Sequence, residues 1–242
     1  MRILAILLAG VSAASAQGHL LITEVCVTPT EGEFIEIHNP TSSSVSLDEY
    51  YLCDLYGTSA SVNSFYPRLV AGPITSNIND FCVRFPSGTS IPEGGVITVA
   101  ISGTAYQGEY GVAPDFEIIN TGVGTLMTIP PNGYVGSAPG LTNGDEVVML
   151  FYWAGSTDVV YDVDYALWGD DTTRRVVKDG ISLDGPDAGS TPTPYLNDTP
   201  AASQSSISLG AHAIGESYQR ISMTETGETP SGGNGLTGHD ET

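Results

Sequence analysis

Short runs of strand-like residues, separated by clusters of glycine, proline, asparagine and serine, constrain what this chain can fold into. A typical run is EFIEIHNP at 33–40, where polar and apolar residues nearly alternate until Asn-Pro ends it. The runs lie at 20–27, 33–39, 50–55, 81–85, 95–102, 115–119, 146–154, 158–168 and 216–222. Signals for helix are nearly absent, since no window keeps an apolar period of about 3.6 residues. The pattern predicts an all-β sandwich or barrel.

The two ends of the chain differ from its middle. Residues 1–16 combine an apolar stretch with small residues at their end, which is typical of a secretory signal peptide. The alternative is a buried N-terminal helix. Residues 224–242 are a polar tail without core-forming residues. We therefore expect an exported domain over 17–223, secreted or held at the cell surface, followed by a flexible tail or linker.

The charge balance limits the partners of this chain. It has 28 acidic residues against 7 basic ones, a formal net charge of −21. A nucleic-acid surface needs clustered Lys and Arg, and the basic residues here are scattered. No stretch after the signal peptide is long and apolar enough to span a bilayer. The composition argues against nucleic acid and membrane insertion, favours solubility and suits divalent cations.

Three cysteines remain in a chain that we expect to be exported. An odd number leaves one thiol unpaired. Cys26 lies inside an apolar run and is expected to be a small buried hydrophobe. Cys53 and Cys82 flank a polar segment, which makes them the disulfide candidates.

The segment 169–212 is a long irregular insertion, rich in Asp, Gly, Pro, Ser and Thr. Only VVKDGISL within it has the composition of a short strand. So long a loop in a compact domain is either functional or poorly ordered.

The first two runs predict a hairpin around the turn TPTEG. A symmetric turn places Glu24 opposite Glu36, with His38 on the same face, and Thr23 opposite Ile37. Two facing carboxylates repel, so a cation, a shared proton or a hydrogen-bond donor must relieve them. The pair with His38 is a candidate metal or acid–base site. The alternative is that both carboxylates are structural, bonded to backbone or hydroxyl groups of the next strand.

Aspartates cluster near the end of the last long run, in YDVDYALWGDD. Asp162 and Asp164 are expected to share one strand face because side chains alternate along a strand. Calcium takes about six to eight hard oxygens, often carboxylates and loop carbonyls. The candidate calcium ligands are Asp162, Asp164, Asp170 and Asp171, with Asp184 and Asp187 as further carboxylates in the next loop. The alternative is a solvated acidic face with Asp-rich turns and no cofactor.

The opening runs resemble the start of a lamin tail domain. LLITEV, EFIEIHNP and VSLDEYYLCD match that family's first three strands, and the motif residues are Glu24, Glu33, Glu36 and Asn39. FPSGTSIPEGGVITVAIS, LTNGDEVVMLFYWAG and SYQRIS follow in the family's order, so the resemblance spans about 20–222. The resemblance implies an immunoglobulin-like β-sandwich with long loop insertions.

The resemblance also implies a function. Exported microbial members are mostly non-catalytic modules of secreted and surface proteins, whereas the nuclear members bind proteins and DNA, a role that the acidic composition contradicts. We expect a non-catalytic binding or structural module with a protein or polysaccharide partner. The alternatives are a calcium-dependent adhesion or carbohydrate-binding module and, third, an enzyme that uses Glu24 and Glu36. The sequence has no nucleophile elbow, zinc-protease motif or phosphate loop.

Overall fold

The computed structural model describes residues 18–56, 64–169, 172–196, 199–207, 210–224, 229–230 and 236–237. The predicted signal peptide lies outside the described residues, and so do Asp170 and Asp171 and most of the predicted tail. None of the described helices is long and apolar enough to cross a membrane.

Strands dominate the described residues, and they are numbered here in chain order. They are β1 (Leu21–Cys26), β2 (Phe34–His38), β3 (Val45–Ser46), β4 (Tyr50–Cys53), β5 (Phe81–Arg84), β6 (Ser90–Ile91), β7 (Val96–Ser102), β8 (Phe116–Ile119), β9 (Thr125–Leu126), β10 (Tyr134–Val135), β11 (Glu146–Tyr152), β12 (Tyr161–Trp168), β13 (Ser182–Leu183), β14 (Thr193–Pro194), β15 (Tyr218–Gln219), β16 (Thr229–Pro230) and β17 (Leu236–Thr237). The α-helix α1 spans Gly103–Tyr110.

Two sheets pack face to face. One has six strands in the order β15-β1-β2-β7-β8-β9, and the other has five in the order β10-β5-β4-β11-β12. Apolar side chains from both sheets fill the space between them, among them Ile35 of β2 and Leu150 of β11, which are both fully buried. Branched and large apolar residues at alternate positions of β2 suit this half-buried surface. The predicted all-β sandwich with long insertions is confirmed.

The outer face of the five-stranded sheet is also buried. Side chains of this face, such as Tyr51 and Phe151, pack against described residues of two insertions, the first at 56–80 between β4 and β5 and the second at 169–212. The covering side chains are Phe65, Tyr66, Leu69, Val70 and Ile74 from the first insertion and Val176, Ile181, Leu183 and Tyr195 from the second. The irregular insertion predicted at 169–212 therefore builds a second core in its described parts, although its strands are only two residues long.

A helix that the sequence analysis missed covers part of the six-stranded sheet. Tyr106 of α1 packs with Phe34 and Cys26 on the outer face of that sheet. The helix begins after Ser102, whose Oγ accepts a hydrogen bond from a backbone amide of the first turn, and ends at Gly111, where φ is 75°. It carries no long apolar stripe, so periodicity gave no signal for it.

The register of β1 against β2 is partly as predicted. Glu24 pairs with Glu36, but Ile22 rather than Thr23 pairs with Ile37. A bulge at Thr23 shifts the register, and its Oγ1 donates a hydrogen bond to Glu36 Oε1 at 2.7 Å. The symmetric pairing is therefore wrong beyond Glu24, because the hydroxyl of the extra residue is used to satisfy a carboxylate.

Asn39 holds the corner after β2. It is fully buried, and its Nδ2 donates to the carbonyls of Ser43, Ile91 and Pro92 at 2.8, 2.9 and 3.1 Å. Its Oδ1 accepts a hydrogen bond from the amide of Thr41 at 3.0 Å. One side chain thus fixes the end of β2 against the loop beside β6.

Replacing Asn39 by alanine should lower the free energy of unfolding by about 2–4 kcal/mol, because buried carbonyls lose their donor. Urea unfolding followed by tryptophan fluorescence measures the change. Ser42→Ala, in the same turn but exposed, is the control and should stay within about 0.5 kcal/mol of wild type. Equal stability of the two variants would show that water replaces the Asn39 contacts.

Candidate functional site

The facing glutamates of the hairpin are held by donors of their own chain. Glu24 Oε1 accepts hydrogen bonds from Ser217 Oγ at 2.5 Å and Gln219 Nε2 at 3.2 Å. Glu36 accepts the Thr23 hydroxyl. These are the contacts expected of the structural alternative, in which hydroxyl groups relieve the repulsion between the carboxylates.

His38 does not complete a metal site with the two glutamates. It lies opposite Leu21 on β1, past the bulge. Within the described part of the chain, the one group of three or more His, Cys, Asp or Glu with ligand atoms within 4.8 Å of one another is Asp158, Asp184 and Asp187. The hairpin face therefore offers carboxylates but no assembled ligand set for a metal.

The aspartates of β12 do not share a strand face, which corrects the prediction. A bulge at Val163 shifts the pairing of β12 with β11, because Leu150 pairs with Asp164 and Phe151 with Asp162. The simple alternation of side chains is lost at the extra residue.

The partners of the two aspartates lie in different layers. Asp162 accepts the hydroxyls of Tyr66 and Tyr165 at 2.6 and 2.7 Å in the second core. Asp164 accepts the amide of Ile22 at 2.5 Å in the core between the sheets. The two carboxylates are buried and separately bonded, so they do not form the predicted common calcium site.

The cysteine candidates are brought together. Cys53 of β4 pairs directly with Cys82 of β5, and both are fully buried. The amide of Asp54 bonds to the carbonyl of Phe81, so the cysteines form a non-hydrogen-bonded pair, in which Cα atoms lie closest and within the range that a disulfide spans. Both are thiols in this structure, and the disulfide stays a prediction. Cys26 is a buried thiol, as expected.

The trio of Asp158, Asp184 and Asp187 lies beside the second insertion. Asp158 is buried and accepts the hydroxyl of Thr193 at 2.5 Å and the amide of Gly185 at 2.8 Å. These hydrogen bonds lower the pKa of Asp158. The other two carboxylates are exposed. The sequence analysis names Asp184 and Asp187 but not Asp158, which begins the strand-like run 158–168 and lies before β12 in the structure.

Mutual repulsion within this trio should be measurable. In EDTA at low ionic strength, Asp184→Asn should raise the stability by a few tenths of a kcal/mol, about the scale of exposed charge pairs, and high salt should erase the gain. Glu93→Gln, at an exposed and unrelated position, is the control for thermal unfolding. If millimolar calcium stabilises the wild type but not Asp184→Asn, repulsion alone is the wrong account and the trio holds a cation.

A concave pocket of about 300 Å³ lies on the outer face of the six-stranded sheet. It is bounded by the β1–β2 hairpin, by α1 and by the segment 215–219. Three carboxylates and three aromatic rings line it: Glu24, Glu109, Glu216, Phe34, Tyr106 and Tyr110. Its described lining contains no Lys, Arg or His. The pocket is therefore both acidic and aromatic.

The rings of this acidic aromatic pocket hold one another in place. Phe34 meets Tyr106 and Tyr110 edge to face, with centroids 5.5 and 5.6 Å apart. Tyr106 and Tyr110 are four residues apart on α1 and share its inner face. The Tyr110 hydroxyl donates to the carbonyl of Gly32 at 3.1 Å, and its side chain is 40% exposed. The ring faces carry negative potential, which adds to that of the carboxylates.

Sequence reasoning missed this pocket because it depends on α1. The available signal was the pair of tyrosines in TAYQGEYG, whose spacing places both on one side of a helix.

Two buried glutamates make the stability of the fold depend on pH. Burial raises the pKa of Glu33 to about 7, although the amide of Leu141 donates to it at 3.0 Å. Burial likewise raises the pKa of Glu146 to about 7, against a hydrogen bond from Thr142 at 2.8 Å. The folded state then binds more protons than the unfolded state between about pH 4.5 and 7, so the stability falls as the pH rises through that window.

Glu33→Gln should remove part of this pH dependence, because glutamine keeps an acceptor for Leu141 without a charge. Between pH 5 and pH 8 the wild type should lose on the order of 2 kcal/mol more than the variant. Urea unfolding across that range measures the difference, with Glu93→Gln as the exposed control. A variant that loses stability as steeply as wild type would mean that Glu33 does not take up a proton on folding.

No protein-family model matches the chain, and a search of curated proteins finds no match. The resemblance to lamin tail domains accordingly rests on its motif residues, and the pocket is interpreted from its own geometry and charge.

Proposed function

We propose that this chain is a non-catalytic binding module of the secreted or cell-surface kind, similar to lamin tail domains. In this proposal the acidic aromatic pocket binds a basic side chain of a partner protein. The observation that carries it is the meeting of three carboxylates with three aromatic rings in one cavity.

The chemistry of the pocket selects for a cation. Carboxylates attract lysine, arginine and methylated ammonium groups, and aromatic faces attract the same groups through their quadrupoles. A neutral sugar could stack on the rings and donate its hydroxyls to the carboxylates, but it would leave three negative charges uncompensated. The net charge of −21 acts in the same direction, since it draws basic partners and repels nucleic acid.

The motif residues support a non-catalytic role. Asn39 and Glu33 bond buried backbone groups, and Glu36 bonds the hydroxyl of the Thr23 bulge. Only Glu24 reaches the pocket, and it is oriented there by Ser217 and Gln219. Most residues of the motif therefore stabilise the fold, which is what we expect of a motif that identifies a fold and not a catalytic site.

Short peptides with a central lysine, arginine or trimethyl-lysine between Gly-Ser flanks test the proposal. Titrated into the isotope-labelled protein, they should shift amide NMR signals of α1 and of residues 215–219, whereas the matching glutamate peptide should not. Tyr110→Leu and Glu109→Gln should each weaken binding about fivefold, the scale of an exposed cation–π contact or ion pair. Glu93→Gln is the control for loss of a carboxylate elsewhere.

The alternatives give different results in the same titration. Binding that Glu93→Gln weakens as much as Glu109→Gln, and that Tyr110→Leu leaves unchanged, would be attraction to the net charge alone, and the pocket proposal would be wrong. Binding that EDTA abolishes would favour the calcium-dependent module instead.

A further inference from the structure

Lys178, the one lysine in the chain, is fully buried. Its Nζ contacts Oδ2 of Asp162, and neither side chain is exposed to solvent. The pair lies in the second core, and Nζ is 5.6 Å from the centre of the Tyr195 ring. Lysine is almost never fully buried without a specific partner, and here that partner is Asp162.

Two tyrosine hydroxyls complete the environment of the carboxyl group. Tyr66 donates to Oδ1 of Asp162 at 2.6 Å, and Tyr165 donates to Oδ2 at 2.7 Å. The two hydroxyls are 2.8 Å apart. Each carboxyl oxygen therefore has its own donor, and the amine lies at the oxygen that Tyr165 contacts.

The packing around the pair excludes water from both groups. An ammonium and a carboxylate away from water lose their hydration, and transfer of one proton between them removes both charges. A neutral amine is a nucleophile and a neutral carboxylic acid can be attacked, whereas the two ions do not react. Groups held in contact by a packed core react with a high effective concentration.

We propose that Lys178 and Asp162 form an intramolecular amide bond. Nζ attacks Cγ of Asp162, and the oxygen that becomes negative, Oδ1, is stabilised by the Tyr66 hydroxyl. Tyr165 gives its proton to Oδ2 and regains one from Nζ. The Cγ–Oδ2 bond then breaks and one water leaves. One amine and one carboxylic acid give one amide and one water, so no oxidant or cofactor is required.

The bond would fasten the second insertion to the sheet. Asp162 belongs to β12, Lys178 to the insertion, and Tyr66 to the first insertion that packs beside it. In its described residues the insertion pairs only the two-residue strands β13 and β14 with each other. A covalent link stabilises such a segment because it restricts the unfolded chain.

The other buried ion pair of β12 is an internal control. Asp164 pairs with Arg220, whose guanidinium keeps its charge and is not a nucleophile under these conditions. Trypsin should therefore still cut after Arg220.

Mass spectrometry of the full chain, reduced and denatured, tests the bond directly. The mass should be lower by one water than that of the sequence from its observed N-terminus. Trypsin should fail to cut after Lys178, and the peptide containing it should be joined to the peptide containing Asp162. An amine-reactive reagent should label only the α-amino group of the denatured protein, since the chain has no other lysine.

Lys178→Arg is the matched variant, and its mass should equal that of its own sequence. A succinimide at Asp179-Gly180 or Asp184-Gly185 would also remove a water, but it would persist in Lys178→Arg and join no peptides. Tyr66→Phe and Tyr165→Phe should leave part of the chain unlinked. If the mass of the wild-type protein equals that of its sequence, and Lys178 is labelled after denaturation, the proposal is overturned, even if the variants fail to fold.

Discussion

Asp164 joins the two sheets, which stack face to face and are not paired with each other through backbone hydrogen bonds. Its carboxylate, on β12 of the five-stranded sheet, accepts the amide of Ile22 on β1 and the guanidinium of Arg220 after β15. Arg220 Nε in turn donates to the carbonyl of Ile22 at 2.8 Å. A buried charge is tolerated only with such partners, and removing one of them typically costs about 3–5 kcal/mol. The closing strand is thereby fixed to both sheets through one carboxylate.

Because of the bulge at Val163, the two aspartates of β12 point into different cores. Because of it, Asp164 contacts the core between the sheets, and Asp162 contacts the core beneath the insertions. Asp162 gathers Tyr66 from one insertion and Lys178 from the other, so the second core is organised around a polar centre. The described parts of the insertions are held by this centre and by apolar packing, in addition to the short pairing of β13 with β14.

Local pattern was enough to predict the sandwich and the facing glutamates, and contacts distant in sequence decided the rest. Alternation along β2 predicts which side chains enter the core, and the turn sets the pairing as far as Glu24. The bulges at Thr23 and Val163 escape such reasoning, because the second one serves a contact between Ile22 and Asp164, 142 residues apart. The pocket escaped it for a related reason: its wall is a short helix stabilised by packing on the sheet rather than by its own pattern.

The run EFIEIHNP connects the fold with the proposed binding site. Ile35 and Ile37 point into the sandwich, and Phe34 points outward, where it supports the rings of the pocket. The chain has few basic side chains, and Lys178 and Arg220 contact aspartates of β12, so no basic side chain of the described pocket lining neutralises the carboxylates there. In the proposed function a cation from another protein supplies the positive charge that the described lining lacks, and its attraction to this face should weaken with ionic strength as solvent ions screen the carboxylates.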